Sequence, residues 1–363
     1  MHWVRPEETS TLRLALVVGD TAGHTHPALA VAEAIRRHAP ATRVIFLGTA
    51  DSVAASIVTR AGHPFFPVPG SPIRGATLAG LARAATQTTR AIVIARRILA
   101  AHHTQLVMGF GSFASGGVLL AARSLRVPTA ILEANVDVGL ANRWLRPWVT
   151  RVFQGLGPPQ SSTGVPIRAP MSADTAIHRS SPHVPLRVLV ASGSRGSDFL
   201  DEQLPPVLDQ LGALGIRVHV RQQSDTPEPL RERYAHLGIA ANIDGFVDDF
   251  ADAHAWADVA IARGGASTIA ELAAAGVPAL LVPLADASAN HQAANAALWQ
   301  HAGAGLSVTE RDWHRDLAVS WLQTMATDPA SWQIQSRAAH TLARVGAADD
   351  IAAACVQLIQ GSQ

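Results

Sequence analysis

The sequence predicts an α/β protein made of two consecutive Rossmann-like domains. Three observations carry that prediction. Short apolar runs alternate with longer helical patterns, several of those runs end in a glycine-rich loop that opens a helix, and the whole pattern lapses between Gln154 and Val184 before restarting. Strands that alternate with helices form a parallel, doubly wound sheet. A length of 363 residues is also too great for one typical core, since a domain takes roughly 100–200 residues.

In chain order, Leu14–Gly19 reads as a buried strand ending at a glycine turn. Pro27–His38 follows as a helix, with Pro27 near the first turn, where a missing N–H costs little. Arg43–Gly48 is a strand, and Ser52–Ala61 a helix ended by Gly62. Leu78–His103 is a long helical stretch, Gln105–Met108 a strand, Gly109–Gly117 a loop leading into a helix to about Leu125, and Pro128–Leu132 a strand. The Pro-, Ser- and Gly-rich stretch after Gln154 is the expected linker. Beyond it come the strands Leu186–Ala191, Arg217–Val220, Ile243–Gly245, Val259–Ala262 and Pro278–Val282, then an amphipathic terminal helix over Ala347–Leu358. The expected division is residues 1–164, residues 165–345, and a C-terminal helix, 346–363, packing back on the first domain. Ligands in such folds sit beyond the carboxyl ends of the strands, and with two such domains the cleft between them is the expected site.

Composition narrows the class. Hydrophobic residues make up 48% and the formal net charge is +1, so no global field selects nucleic acid as a partner. All 29 basic residues are arginine, which reads as the mark of a GC-rich genome and leaves no phosphate-loop lysine. One cysteine, Cys355, rules out an internal disulfide or a cysteine-based metal cluster. The first residues, Met1 to Thr11, lack the pattern of a signal peptide, and the apolar run Leu12–Val18 is far too short to span a bilayer. A cytoplasmic, non-spanning protein is expected.

Five loops have the composition to carry chemistry. Gly19-Asp20-Thr21-Ala22-Gly23-His24 joins a strand to a helix; His24 reads either as a polar capping residue or as a base. Gly109-Phe110-Gly111-Ser112-Phe113-Ala114-Ser115-Gly116-Gly117 has four glycines in nine residues, more than a turn needs; close packing against a neighbour is the other reading. In Gly193-Ser194-Arg195-Gly196, Ser194 is either an N-cap or a phosphate donor. Arg263-Gly264-Gly265-Ala266-Ser267-Thr268 leaves a buried strand and enters a helix, where free N–H groups and the helix dipole suit a diphosphate. Glu271, one turn further on, either accepts two hydrogen bonds from a ribose diol or compensates the dipole. Asn290-His291-Gln292 with Asn295 suits a hydroxyl-rich ligand or a polar helix start. No metal-ligand spacing appears among the 16 histidines.

Taken together these loops resemble the MurG family, glycosyltransferase family 28. The resemblance runs from about Leu14 to Leu306. It is strongest in Gly245-Phe246-Val247-Asp248-Asp249-Phe250, in Arg263 to Glu271, in Gly276-Val277-Pro278 and in Asn290-His291-Gln292 with Asn295-Ala296. It implies a GT-B fold, two Rossmann-like domains facing across a cleft. It further implies an inverting, metal-independent transfer of N-acetylglucosamine from UDP-GlcNAc to a lipid-linked acceptor, lipid I, in peptidoglycan synthesis. No cofactor is implied beyond the UDP-sugar substrate.

By the same resemblance, Glu271 holds the uridine ribose, and Phe246 and Val247 flank the uracil. Ser194, Arg168 and Arg263 with Gly265, Ala266, Ser267 and Thr268 approach the diphosphate and sugar; His291, where the family often has Gln, and Gln292 hold sugar hydroxyls. His24, as the base or its orienting partner, and Asn135, as an acceptor-positioning group, are the candidate catalytic pair, with Thr21, Gly23, Ser112, Phe113 and Asn142 on the acceptor side. That side departs from the family: Asp20 and Ala22 replace glycines, Gly111-Ser112-Phe113 replaces Gly-Gly-Tyr, and Leu132-Glu133-Ala134-Asn135 replaces His-Glu-Gln-Asn. These departures favour an alternative in which a related transferase takes a different sugar or acceptor, or in which a homologue binds UDP-sugar without catalysis. The stretch Ile73–Arg97 interleaves apolar residues with Arg74, Arg83, Arg90, Arg96 and Arg97. It reads as a solvated helix face or as a patch for the anionic inner surface of the plasma membrane, which a lipid-linked acceptor requires.

Overall fold

In the computed structural model, residues 11–70, 78–111, 113–158, 161–168, 180–193, 196–245, 250–284 and 290–361 are described, with the side chains of 78–85, 113, 114 and 250 excepted. The chain divides into two compact units, Met1–Arg168 with Gly346–Gln363, and Ala169–Val345.

The first unit is a six-stranded sheet of β1 (Arg13–Val17), β2 (Arg43–Gly48), β3 (Phe65–Pro67), β4 (Leu106–Gly109), β5 (Thr129–Glu133) and β6 (Arg151–Gln154) in the order β3-β2-β1-β4-β5-β6. All its pairings are parallel. Its helices are α1 (Ala22–His38), α2 (Val53–Arg60), α3 (Leu78–Ala101), α4 (Phe113–Ser124) and α5 (Leu140–Leu145). The apolar strands feed two cores because successive side chains point to opposite faces. Leu14, Leu16, Phe46 and Met108 pack on the α1 side, while Ala15, Val17, Ile45 and Val107 pack on the α3–α4 side.

The second unit repeats the plan with β7 (Leu186–Ala191), β8 (Val218–Gln223), β9 (Ala240–Asp244), β10 (Val259–Ala262), β11 (Ala279–Leu281) and β12 (Gly305–Ser307), in the order β12-β11-β10-β7-β8-β9 and again parallel. Around it lie α6 (Asp198–Ala213), α7 (Pro227–His236), α8 (Phe250–Trp256), α9 (Ala266–Ala275), α10 (His291–His301), α11 (Arg315–Thr327) and α12 (Pro329–Thr341). The chain then returns to the first unit, where α13 (Ala347–Gln360) buries Ile351, Cys355 and Ile359 in the α1-side core.

Three expectations need correction. Helix α1 starts at Ala22, so Pro27 lies inside it; the N–H that proline lacks would have served Gly23, one turn back. Helix α4 starts at Phe113 and takes in Gly116 and Gly117. A Cβ on Gly117 would stand 2.8 Å from that of Ala91, so the glycine lets α3 and α4 approach. Strand β11 is not the last, because β12 follows it at the sheet edge.

Candidate functional site

In each sheet the strand order reverses once, between β1 and β4 and between β7 and β10. Such a switch point opens a crevice at the carboxyl ends of the two strands. The register ends those strands together, Val17 beside Gly109 in one sheet and Ala191 beside Ala262 in the other. Four of the five loops therefore fall into two pairs, one at each switch point.

In the second unit, Gly265 is the N-cap of α9 with no side-chain cap, and no acidic residue occupies the first turn. The positive end of this helix carries neither a capping oxygen nor a carboxylate, the condition that suits an anion. Ser267 and Thr268 lie one turn before Glu271, on the same helix face; all three are half-buried. The loop before the helix is clamped. Asn295, fully buried on α10, donates from Nδ2 to the Gly264 carbonyl at 3.0 Å. A side chain on Gly264 would run into the Gln292 carbonyl.

Arg263, expected at the donor, is 7% exposed and turned into the domain. Its guanidinium donates to the Val282 carbonyl at 3.1 Å and to Ser197 Oγ at 2.6 Å, and pairs with Glu310 at 2.6 Å. It fixes the β7 and β10 loops to each other. Gln292 accepts from the Leu284 N–H at 2.9 Å through Oε1. His291 opens α10, and its buried Nδ1 has no hydrogen bond among the described residues. Ser194, Phe246 and Val247 lie outside the described residues.

Glu271 has a partner that no spacing in the sequence announces. His254, fully buried on α8, places Nε2 3.8 Å from Glu271 Oε2. The Glu271 side chain is 18% exposed, and burial pushes its carboxyl up from the ordinary range to about 8. Near neutrality the carboxyl is therefore largely protonated until something supplies hydrogen bonds to its charged form.

In the first unit the two loops meet. His24 Nδ1 lies 3.3 Å from the Thr21 hydroxyl. A Cβ on Gly111 would lie 3.6 Å from His24 Cδ2 and Nε2, and Gly111 has φ +79°, so the second loop passes closely over the imidazole. Gly23 is exposed in the first turn of α1. Ser112 and the side chain of Phe113 lie outside the described residues.

Asn135 and Asn142 are drawn together by Glu133, a buried carboxylate to which the sequence reading assigned no role. Glu133 accepts from Asn135 N and Nδ2, both at 3.1 Å, from Gly139 N at 2.9 Å and from Asn142 Nδ2 at 2.8 Å. Asn142 is 5% exposed, and its amide also donates to the Leu132 carbonyl. Gln154 donates to the Asn135 carbonyl at 2.6 Å. Arg168 pairs with Glu33 of α1 at 3.0 Å. Nearby His26 titrates below the ordinary histidine range, chiefly through burial and then through the Arg168 charge.

Residues 14–154 match the glycosyltransferase family 28 N-terminal domain, and residues 187–351 its C-terminal domain. The chain is 35% identical over 353 residues to the UDP-N-acetylglucosamine–N-acetylmuramyl-(pentapeptide) pyrophosphoryl-undecaprenol N-acetylglucosamine transferase of Methylococcus capsulatus, covering 95% of this chain and 98% of that one. It is 36% identical over 359 residues to the protein of the same name from Alkalilimnicola ehrlichii, covering 96% and 99%. Among solved structures, that of Acinetobacter baumannii MurG superimposes with a TM-score of 0.76 at 25% identity, covering 96% of this chain and all of that one.

Proposed function

This chain belongs to glycosyltransferase family 28, and from that premise we propose that it transfers N-acetylglucosamine from UDP-GlcNAc to an undecaprenyl-pyrophosphoryl N-acetylmuramyl-pentapeptide acceptor in peptidoglycan synthesis. The relatives' names supply the substrates. The observation in this molecule that carries the reading is the uncapped start of α9, with Glu271 one turn in.

The diphosphate lies on the first-turn N–H groups of α9, with Ser267 and Thr268 beside it, and Glu271 accepts the ribose hydroxyls. Binding the diol supplies the hydrogen bonds that favour the ionised carboxyl, so donor binding releases a proton near pH 7. Arg263 holds the loop rather than the ligand, because its guanidinium is already engaged by Val282, Ser197 and Glu310.

The transfer is a direct displacement with inversion. The acceptor hydroxyl oxygen bonds to the anomeric carbon as the bond from that carbon to the β-phosphate oxygen breaks. The bonding pair leaves with UDP, where the helix end stabilises the new charge in place of a metal ion. His24 takes the hydroxyl proton, its ring oriented through Nδ1 by Thr21. Asn135, held by Glu133, positions the acceptor.

A lipid-linked acceptor calls for a membrane surface. No described helix is long and apolar enough to cross a membrane. The first unit instead exposes Leu140, Trp144 and Trp148 beside Arg143 and Arg146, and Val93 and Ile94 beside Arg90, Arg96 and Arg97. Exposed indole rings among arginines suit the headgroup region of an anionic bilayer, and we place this face on the inner surface of the plasma membrane.

Turnover of UDP-GlcNAc with a soluble lipid I analogue, read by UDP release and product mass, tests the reading. UDP release that depends on the acceptor, with a disaccharide product, is expected. UDP-GlcNAc binding without transfer would replace this acceptor with another, which the departures at Leu132 and Ala134 would explain. No binding of any UDP-sugar at millimolar concentration would end the reading.

A further inference from the structure

The first unit has a cavity that the transfer reaction does not use. It measures about 480 Å³ and is lined by Arg13, Arg36, Arg43, Thr42, His102 and Thr104, among others. Its volume falls within the range of small-molecule pockets, roughly 300–1,000 Å³. Arg13 opens β1, Arg43 opens β2, and His102 and Thr104 follow the end of α3. The cavity is thus at the amino-terminal end of the strands, whereas the Gly19 and Gly109 loops leave their carboxyl-terminal end.

Arg13 and Arg43 are paired in register on adjacent parallel strands, so their side chains emerge side by side. Like charges on neighbouring positions repel. Neither they nor Arg36 form an ion pair among the described residues, and no carboxylate lines the cavity. Basic residues near helix C-termini often only offset the dipole. Here the ends of α1 and α3 contribute about half a negative charge each, which leaves three guanidiniums well in excess. Thr42 and Thr104 are 8% and 7% exposed, and their hydroxyls are buried without a hydrogen bond among the described residues. Buried hydroxyls in native proteins nearly always have a partner.

We propose that this end of the first sheet is a second ligand site, for a small phosphate-bearing anion held by Arg13, Arg36 and Arg43 and by the hydroxyls of Thr42 and Thr104. Three guanidiniums and two hydroxyls ask for more acceptor oxygens than one carboxylate offers, and a phosphate or diphosphate supplies them. The cavity has room for the organic part of such a molecule.

Hydrogen exchange read by mass spectrometry on the full chain, with inorganic pyrophosphate as the probe, tests this. Exchange over residues 40–46 and 101–105 should slow when pyrophosphate is added to the wild type. In Arg13→Gln/Arg43→Gln that protection should vanish and the affinity read there should fall about a hundredfold, at roughly tenfold per lost charged contact. Turnover of UDP-GlcNAc should be unchanged. Should the double variant fail to fold, the uncharged, same-sized Thr104→Val must weaken the same protection. Wild-type protein without protection, or protection that survives in the variants, would overturn the site. Protection by phosphatidylglycerol vesicles but not by pyrophosphate would overturn the small-molecule ligand in favour of a lipid headgroup.

Discussion

The two switch points have the same topology and are furnished in different ways. At β7 and β10 the candidate donor site is mostly main chain: an uncapped helix start, a glycine loop pressed against α10, and one carboxyl a turn later. Across β1, β4 and β5 the candidate acceptor site is mostly side chain: an imidazole under Gly111 at the switch point and two asparagine amides gathered by Glu133 at the end of β5. A main-chain site tolerates side-chain change but not added bulk. A side-chain site can be remade by substitution while its sheet stays the same. Of the departures that the resemblance implies, Asp20, Ala22, Leu132 and Ala134 lie on the second kind of site, and His291 on the first.

The sharpest break of this contrast is Gly264→Ala. Its methyl group must displace the Gln292 carbonyl, and overpacking of this kind costs roughly 1–3 kcal/mol or more. Denaturant unfolding should show that loss together with failed UDP binding. Gly265→Ala, whose Cβ would meet only Thr268 Oγ1 at 3.5 Å, should fold normally.

Next is Glu133→Ala, which strips four hydrogen bonds and leaves the buried Asn142 amide short of a partner. Each orphaned group costs about 1–3 kcal/mol. Steady-state kinetics should put the defect in the acceptor KM and kcat, with the KM for UDP-GlcNAc near wild type. Equal defects for both substrates would mean that the two sites are not separable.

The pH dependence is smaller and carries a sign. A carboxyl whose folded pKa is raised binds more protons folded than unfolded, so Glu271 adds stability below its unfolded value near 4.5 and loses it as pH rises to about 8. The thermal midpoint of Glu271→Gln should therefore gain on the wild type between pH 5 and pH 8. UDP affinity of the wild type should rise over pH 6 to 8 as the carboxyl ionises, and that slope should be absent in the variant. The smallest effect is expected from Trp144→Ser/Trp148→Ser. It should leave turnover of a soluble acceptor unchanged and reduce sedimentation with anionic vesicles.

The contrast also explains what could be read in the sequence. Strands β2, β7 and β10 are mostly apolar runs, broken only by Arg43 and Arg187, and their observed ends coincide with those expected. Edge strands β3 and β12 have three residues each, too few for any periodicity. Pro27 misplaced the start of α1, because a proline inside a helix looks like one at its beginning. The candidate donor loop was legible because glycines and a helix start are local features. His254 was not, since it reaches Glu271 only through the packing of α8 on α9. Glu133 was missed for a similar reason: a carboxylate that serves four donors on a returning loop looks in sequence like any other glutamate.

We propose that the α9 helix start and Glu271 form the uridine diphosphate site. Calorimetric binding of UDP and 2′-deoxy-UDP to the wild type and to Glu271→Ala tests it most directly. Loss of the ribose hydroxyl should weaken binding to the wild type by about 1.5–3 kcal/mol, the worth of a charged hydrogen bond, and should make no difference in the variant. An equal loss in both proteins would contradict the account, because the diol would then be held by something other than Glu271.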